Sequence, residues 1–535
     1  MGRKVVLTLV VVVLLLLMPM VAVVTQIASA QKPKLKVGVI VPYRLPQGDA
    51  YTGGAEGGAM LAAIDINAAG GIDINGTLYE IELVKDPATN KFYDEYAYNP
   101  FDPDSAYDSA WALCEAGCKF IIGGFRTECT WEIMRAIAHW NKEYASSPED
   151  WVIYLINGAS TDDLCKESEC INKIGSEYAP FDWRFRINPI NSTMLFYNVL
   201  GWMKGYLLPK KLIPMWKNVK VACIAEDLEW TDGICNYFRY VGLGPNTTVV
   251  QCIETPPGTT DFDEYLTNLK DLGVNLLCHF YTLIDSKYLV MDWYEGQYPF
   301  VLCGIDVQGQ SGWWPSNLFT AGKCEYEMTE DFAGTRTPIT PMATKFWDHF
   351  VGNFSLSGYP QAWPIYTAWG AYNAFLVIKN ALETADTLNS TRIIEVMEQQ
   401  EIWVLNGKAK FTSSHDVYTD EWGPTWKNKY TRAMFAQWIK EKNVLIKQVV
   451  CPIDQEYSRK AAIPLWIHPL GDVDLNFDGK VDMKDVAMVS KAFGSYPGQP
   501  EWDIECDVNY DGKVDMKDVA MVSKKFGQYV QPWPP

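Results

Sequence analysis

An acidic pattern near the end of the chain occurs twice, starting at Asp474 and again 33 residues later at Asp507. In each copy, side chains that carry oxygen stand at loop positions 1, 3, 5, 9 and 12, Gly stands at position 6, and a backbone carbonyl is available at position 7. Calcium binds six to eight hard oxygen ligands, and this spacing supplies them. The sequence therefore predicts two Ca²⁺ sites with these ligands: Asp474, Asn476, Asp478, Lys480, Asp482 and Asp485, then Asp507, Asn509, Asp511, Lys513, Asp515 and Asp518.

Each acidic loop runs into one predicted helix, at residues 486–493 and 519–526, which Gly494 and Gly527 end. Two calcium loops with Asp as the last ligand and one following helix each resemble a type I dockerin, and we assign residues 466–535 to this small all-α domain. The resemblance implies a cohesin domain as partner, with recognition at Met483, Lys484 and Lys491 and at Met516, Lys517 and Lys524. The alternative is a calcium-stabilised domain that has no cohesin partner.

Composition limits the function classes. A chain of 535 residues is too long for one core, which favours two or three domains. A hydrophobic fraction of 48% and a charged fraction of 21% are typical of a globular protein. The net charge of −19 argues against nucleic acid as a partner.

The first 30 residues predict a cleaved signal peptide, because a basic start and a long apolar run precede an A-x-A site at Ala28–Ala30. We therefore expect a secreted or extracellular protein that is associated with the cell surface. Thirteen Cys in an exported chain favour disulfides, with Cys165 and Cys170 as the best local pair. The apolar surroundings of Cys223, Cys278 and Cys303 instead predict buried thiols.

Strand and helix patterns alternate along most of the chain before the acidic repeats. A buried strand at 35–41, a helix that starts near Gly54 and a strand at 77–84 form the first strand–helix–strand unit. The acidic, Tyr-rich stretch 90–104 is expected to be a surface loop. A second series of strands and helices begins near residue 219. The predicted fold is α/β, with two doubly wound parallel-sheet lobes joined by a hinge.

The stretch KVGVIVPYRLPQGDAYTGGAEGGAMLAAIDINAAGGI, from residue 36, resembles the start of the type I periplasmic binding proteins of the Leu/Ile/Val-binding family. The later stretches WRFRINPINS and PPGTTDF match the same family in order. This resemblance implies a solute-binding domain at 31–465. Lobe 1 would comprise about 34–187 and 305–400, and lobe 2 about 188–304 and 401–451.

The family resemblance also implies a ligand site between the lobes. It gives the ligand carboxylate to Thr127, Ala159, Ser160 and Thr161, the aromatic lid to Trp230 and the ammonium partner to Asp285, with Arg126 as an added cation and Gln47 replacing an aromatic wall. Thr127, Thr161 and Asp285 have an alternative role as plain helix N-caps, and Arg126 as a surface ion pair. The departure at Gln47 leaves the ligand open among an amino acid, an amide and a short peptide.

The overall prediction is an extracellular solute-binding protein of an ABC importer, which works with a permease and docks to a cohesin-bearing partner. One alternative is a ligand-sensing receptor on the same fold. A second is a dockerin-borne carbohydrate-active enzyme, which would need two carboxylates that face a sugar groove. The sequence contains no G-x-S-x-G, H-E-x-x-H or P-loop motif, and we expect no enzymatic activity.

Overall fold

A computed structural model shows the architecture. It describes residues 32–43, 54–95, 103–209, 213, 218–240, 247–283, 285–317, 319–331, 336–354, 363–420, 429–441, 443–451, 461, 463–464, 473, 480–496, 499–503, 506–509 and 511–528. The predicted signal peptide, Gln47 and the first three predicted ligands of the first calcium loop (Asp474, Asn476 and Asp478) lie outside these residues. Among the residues in these ranges, no helix is long and apolar enough to cross a membrane.

Strands and helices alternate along both lobes. The strands are β1 (Lys34–Val41), β2 (Ile72–Ile74), β3 (Thr77–Val84), β4 (Tyr93–Asp94), β5 (Phe120–Gly123), β6 (Ile153–Ile156), β7 (Arg184–Arg186), β8 (Val219–Glu226), β9 (Thr247–Thr255), β10 (Leu276–Tyr281), β11 (Val301–Asp306), β12 (Met328–Asp331), β13 (Ile402–Val404), β14 (Gly407–Ala409), β15 (Met434–Glu441) and β16 (Val444–Cys451). The helices are α1 (Ala55–Ala68), α2 (Asp104–Glu115), α3 (Thr127–Glu143), α4 (Glu167–Ile174), α5 (Ser192–Trp202), α6 (Glu229–Tyr240), α7 (Asp263–Asp271), α8 (Ser286–Glu295), α9 (Pro341–Phe354), α10 (Tyr366–Ala385), α11 (Ser390–Gln399), α12 (Met483–Ala492) and α13 (Met516–Lys525).

The first sheet has the strand order β2-β3-β1-β5-β6-β7, with the short β4 beside the end of β1. Strands β3, β1, β5, β6 and β7 run parallel. The strands β5 and β6 are buried along their whole length, as expected for a parallel sheet that helices cover on both faces. This sheet forms the core of the first lobe.

The second sheet has the strand order β16-β15-β12-β11-β10-β8-β9, with the parallel part running from β12 to β9. Four cysteines stand in register across its neighbouring strands: Cys252, Cys223, Cys278 and Cys303. Two parallel-sheet lobes are therefore present, and the predicted fold class is confirmed. The strand β12 pairs with β11 in this second sheet, whereas the sequence boundaries place 305–400 in lobe 1. The exact lobe boundaries stay a prediction.

The crossing segments between the lobes pack tightly at the start of α10. The Asn157 side chain donates a hydrogen bond to the Thr367 carbonyl at 2.9 Å, and Asn188 donates to the Asn157 carbonyl at 2.6 Å. A Cβ atom at Gly370 would lie about 2 Å from side-chain atoms of both asparagines. Gly370 is therefore required where two of the crossing segments meet.

The predicted disulfide between Cys165 and Cys170 is wrong. Cys165 and Cys170 are both buried, and they are not joined to each other. The Cys170 thiol donates instead to the Leu164 carbonyl at 3.6 Å. A short spacing in the sequence does not place two sulfur atoms in bonding geometry, because side-chain direction also decides it.

The stretch 90–104 is not simply a surface loop, which corrects the sequence-based expectation. Within its described part, β4 pairs with β1, and Glu95 is completely buried. The α2 helix already begins at Asp104. The burial of Glu95 bears directly on the candidate site below.

The C-terminal tail is organised by reciprocal contacts between its two copies. The Gly494 amide donates to the Val514 carbonyl at 2.8 Å, and the Gly527 amide donates to the Val481 carbonyl at 2.8 Å. Val481 and Val514 are the equivalent loop residues of the two copies, and both are fully buried. The end of each helix is therefore tied to the calcium loop of the other copy.

Candidate functional site

A cleft that is partly open to solvent lies between the lobes. The first lobe contributes Ser160, in the loop after β6, and Thr282 and Val307 directly follow strand ends of the second lobe. Ligands of doubly wound sheets bind at this edge, outside the carboxyl ends of the strands. The lining residues are Ser160, Ile190, Leu195, Trp230, Thr282, Ile305, Val307, Gln310, Glu330 and Tyr366.

The aromatic wall of the cleft is held in place by a buried carboxylate. The indole Nε1 of Trp230 donates to Oε1 of Glu226 at 2.8 Å, and the Leu283 amide donates to Oε2 at 3.0 Å. The Thr282 hydroxyl also donates to Glu226. Burial raises the pKa of Glu226, while Arg126 of the first lobe acts in the opposite direction. Glu226 therefore positions both Trp230 and the loop after β10.

A second buried carboxyl group, Glu330, lines the cleft itself. Its Oε1 atom accepts a 2.7 Å hydrogen bond from Asn198, and its Oε2 atom has no hydrogen-bond partner in the described part of the chain. Burial raises the pKa of Glu330 well above its usual value, and the neighbouring Asp331 raises it further. An unpartnered buried carboxyl oxygen that faces a cleft is suited to receive a donor from a ligand.

The start of α3 is expected to bind a ligand carboxylate, but a carboxylate of the protein itself accepts hydrogen bonds from two backbone amides there. Glu95 accepts hydrogen bonds from the Phe125 amide at 2.8 Å and the Arg126 amide at 3.3 Å. Arg126 is buried and lies 3.5 Å from Glu128. The Thr127 hydroxyl is also buried and has no partner among the described groups. Thr127 therefore remains a candidate ligand-binding residue. The backbone amides of Phe125 and Arg126, just before it, already donate hydrogen bonds to Glu95.

The loop after β6 places only one of its predicted residues on the cleft wall. Ser160 lines the cleft, while Ala159 and Thr161 are buried behind it. Arg186 donates hydrogen bonds to the carbonyls of Ser160 and Thr161, with 3.1 Å to the former. This guanidinium fixes the course of the loop and so the position of Ser160.

Asp285, predicted to hold the ligand ammonium, turns towards a different loop. Its Oδ2 atom accepts a hydrogen bond from the Gly258 amide at 2.6 Å, and it does not line the cleft. Burial raises the pKa of Asp285. Asp285 precedes α8 without capping it through its side chain, so it connects this helix to the loop after β9. The acid that lines the cleft is Glu330 instead, and Glu226 contacts the wall residue Trp230.

The sequence contained a weak signal for these two acids. Glu226 ends the hydrophobic strand β8, and Glu330 interrupts the buried strand β12. A carboxyl group inside a buried strand needs a partner or a function. Nothing in the local sequence, however, shows that both strand ends face the same cleft.

The second calcium loop presents ligands of the expected chemistry. Asp507 and Asp518 are buried, and their oxygens accept amide hydrogen bonds from inside the loop. Gly512 adopts a positive φ of 85°, a backbone conformation that favours glycine. Burial raises the pKa of Asp507, and the nearby Asp518 and Asp511 raise it further. This crowding of like charges suits a divalent cation.

Lysines contact two other carboxylates of this loop. The Lys517 ammonium lies 2.9 Å from Asp511, and the Lys513 ammonium lies 3.0 Å from Asp515. In the first copy, Asp485 accepts hydrogen bonds from the Val473 amide at 2.7 Å and from the amide of another predicted ligand, Asp482, at 2.8 Å. The last aspartate of each loop therefore organises the loop backbone.

The residues expected to contact a partner all lie on the surface of α12 and α13. Met483 and Met516 are each 64% exposed, which is unusual for large apolar side chains. The four lysines of the predicted set are exposed as well: Lys484, Lys491, Lys517 and Lys524. The two helices thus present equivalent surfaces.

Comparisons with known families and solved structures give matches for the tail and for the fold of the lobes. Residues 472–527 match the family model of the dockerin type I domain. No curated protein matches the sequence.

Solved structures share the fold of the lobes. One is the branched-chain amino acid transporter substrate-binding protein LivJ from Streptococcus pneumoniae in complex with isoleucine, at 18% identity and a TM-score of 0.55, covering 78% of this chain and 99% of that one. A putative branched-chain amino acid ABC transporter protein from Silicibacter pomeroyi has 16% identity and a TM-score of 0.60, covering 81% and 100%. A solute-binding protein of an ABC transporter from Rhodopseudomonas palustris, in complex with 3,4-dihydroxybenzoic acid, has 16% identity and a TM-score of 0.54, covering 78% and 96%. The chain therefore combines the fold of the type I periplasmic binding proteins with a C-terminal dockerin type I domain.

Proposed function

We propose that the two lobes capture a small solute that carries a protonated amine, such as an amino acid, an amide bearing an amine or a short peptide, for an ABC importer. The observation that supports this proposal is Glu330, a buried residue of the cleft wall whose Oε2 atom has no hydrogen-bond partner among the described residues. A protonated amine would supply both the missing donor and a compensating charge. The apolar walls formed by Ile190, Leu195 and Trp230 suit the rest of such a solute.

The rest of the solute-binding proposal assigns roles to the predicted residues. Ser160 and the buried Thr127 hydroxyl provide polar contacts from the first lobe, and Trp230 forms the aromatic wall. Closure of the lobes about the crossing segments would shield the solute from water. We propose no catalytic step, because capture and release need only this closure. Residues 1–30 would direct export.

The tail, in the same proposal, attaches the protein to a cohesin-bearing partner at the cell surface. Two Ca²⁺ ions would hold its loops, with the described ligands of the second loop as the best-defined set. Calcium supplies the folding free energy that so small a core lacks. Met483 and Met516, with the lysines beside them, would form the contact surface.

The direct experiment is a thermal-shift screen of the full mature chain in calcium, with amino acids, other primary amines, amides, peptides and sugars. A ligand at about a hundred times its Kd adds roughly 2.7 kcal/mol to the free energy of unfolding, which is an easily measured shift. Shifts with amines, and none with their deaminated analogues, support the proposal. Shifts with sugars alone contradict it.

A further inference from the structure

Three side chains able to bind a metal ion meet inside the second lobe, apart from the calcium loops. His279 belongs to β10, Asp306 ends β11, and Glu327 directly precedes β12. One ligating atom from each lies within 4.8 Å of the others, and His279, Asp306 and Glu327 are all completely buried. Neighbouring strands of the parallel sheet therefore bring together one imidazole and two carboxyl groups.

The spacing within this cluster is compatible with metal ligands. The Nε2 atom of His279 and Oε1 of Glu327 form a long hydrogen bond of 3.3 Å. The same distance, about 3.3 Å, separates two ligands in a tetrahedron whose bonds measure about 2.0–2.1 Å, as in zinc sites.

An independent observation is an unsatisfied buried oxygen. Oδ2 of Asp306 receives no hydrogen bond from any described N–H or O–H group. The other oxygen, Oδ1, accepts three, from the Ser286 hydroxyl and from the amides of Gln308 and Gly309, at 2.9–3.1 Å. The carboxyl group is thus held firmly by one oxygen, and its interaction with the neighbouring Glu327 carboxyl group is the competitor of a metal ion at this position.

The surroundings orient the remaining members of the cluster. The Trp314 indole donates to Oε2 of Glu327 at 2.5 Å, which leaves Oε1 for the position near His279. Hydrogen bonds of this kind, from outside the ligand shell, orient metal-binding carboxylates. Ser286 plays the same part for Asp306.

The nearby Lys447 is bound to Asp331 at 2.6 Å and to the Gly309 carbonyl at 2.9 Å, so its charge already has a partner. A neutral imidazole and ionised carboxylates are the forms that bind metals. In those forms, the two carboxylates would carry a charge that one divalent cation balances.

We propose that His279, Asp306 and Glu327 bind a divalent transition-metal ion of the zinc type in the core of the second lobe. Imidazole nitrogen with carboxylate oxygen is a common ligand set for such ions. None of the three residues lines the cleft, but Ile305 and Val307, on either side of Asp306, do. The ion would therefore tie β10, β11 and β12 together directly behind the cleft wall.

The test uses the full mature chain without a histidine tag, in excess calcium so that the tail loops hold their own ion. The protein is incubated with Zn²⁺, passed through gel filtration and analysed by plasma mass spectrometry. We expect one bound zinc per chain and a Tm that rises with Zn²⁺ but not with further Ca²⁺ or Mg²⁺. A wild-type chain that retains no zinc overturns the proposal.

Two variants distinguish metal binding by the cluster from a proton that Asp306 and Glu327 share. Glu327→Gln preserves shape and hydrogen bonding but should weaken zinc binding at least tenfold. The matched control, His415→Gln, removes another buried imidazole, which contacts Glu398 at 3.0 Å outside the cluster, and should retain zinc. Equal zinc retention in all three proteins contradicts the proposal. If Glu327→Gln fails to fold, Asp306→Asn provides the same comparison.

Discussion

The indole of Trp230 and the carboxylate of Glu226 form a buried 2.8 Å hydrogen bond behind the cleft wall. Trp230 lies in the first turn of α6 of the second lobe, and Glu226 ends β8, the strand that precedes this helix. The same carboxylate accepts a hydrogen bond from the Leu283 amide, in the loop after β10. The shape of the cleft therefore depends on one buried acid that joins two strand ends.

Replacing Trp230 by Phe tests this arrangement. The ring remains, but Oε1 of Glu226 loses its donor, so we expect the free energy of unfolding to fall by about 1–3 kcal/mol. Urea denaturation of the full chain measures the change. The control is Trp403→Phe, at a half-exposed indole on β13, which should change stability by less than about 0.5 kcal/mol. Equal losses in both variants would contradict the role given to Glu226.

Glu330→Gln tests recognition of a protonated amine. The amide still accepts from Asn198 but cannot carry the compensating charge. We expect the affinity for an amine ligand found in the screen to fall by about 1.5–3 kcal/mol, roughly 10- to 150-fold. Calorimetric titration measures it. A deaminated analogue of the same ligand serves as the control, since its weak binding should be similar in both proteins. Undiminished amine binding would remove Glu330 from the site.

The buried Glu95 predicts a pH dependence of stability. Burial raises its pKa from 4.5 to about 8, so the folded state retains a proton that the unfolded chain releases. Its contribution to stability is therefore complete below pH 4.5 and is lost as the pH rises towards about 8. Because Gln resembles the protonated acid and does not titrate, we expect the wild type to lose stability relative to Glu95→Gln as the pH rises over this window, as measured by urea denaturation at several pH values. The exposed Glu395→Gln should show no such trend.

Calcium removal and Asp518→Asn test the tail loops. Asp518 is buried and accepts hydrogen bonds from the backbone amides of Asn509 and Asp515. Removing calcium and replacing Asp518 should therefore both open the second loop. We expect calcium to slow proteolytic loss of the tail in the wild type at least tenfold, and to protect the variant much less. Mass spectrometry of the digest gives the rates. Asp503→Asn, outside the loop, is the matched control. Calcium-independent digestion of the wild type would count against the loops as Ca²⁺ sites.

Met483→Asp and Met516→Asp test the partner surface. Because the two helices present equivalent surfaces, each single change should reduce binding to a cohesin domain only about twofold, by removing one of two modes. The double change should abolish binding. Calorimetry in calcium distinguishes these results, and circular dichroism confirms folding. Loss of binding in either single variant would mean that the two surfaces are not equivalent.

The sequence predicts the order of strands and helices well, because buried strands such as β5 and β6 are nearly all apolar and glycines mark helix ends. It predicts the calcium loops for a different reason, since all their ligands lie within twelve residues. The positions of Glu226 and Glu330 could not be predicted in this way. The two residues are far apart in the chain, and only the assembly of the second sheet places one in the cleft wall and the other against the wall residue Trp230.

The direction of a side chain also limits how well the site residues can be predicted from the sequence. Asp285 stands at a helix start, as a ligand-binding acid would, yet its carboxylate faces the Gly258 loop. Glu95, from an acidic stretch expected to be a loop, reaches the amides at the start of α3. Neither direction is visible in local spacing, because both depend on which loops the tertiary fold places side by side.

The burial of the cysteines has a consequence for their reactivity. Twelve of the cysteine side chains are buried, and Cys252 is partly exposed. A thiol reagent added to the folded protein should therefore modify Cys252 before the others.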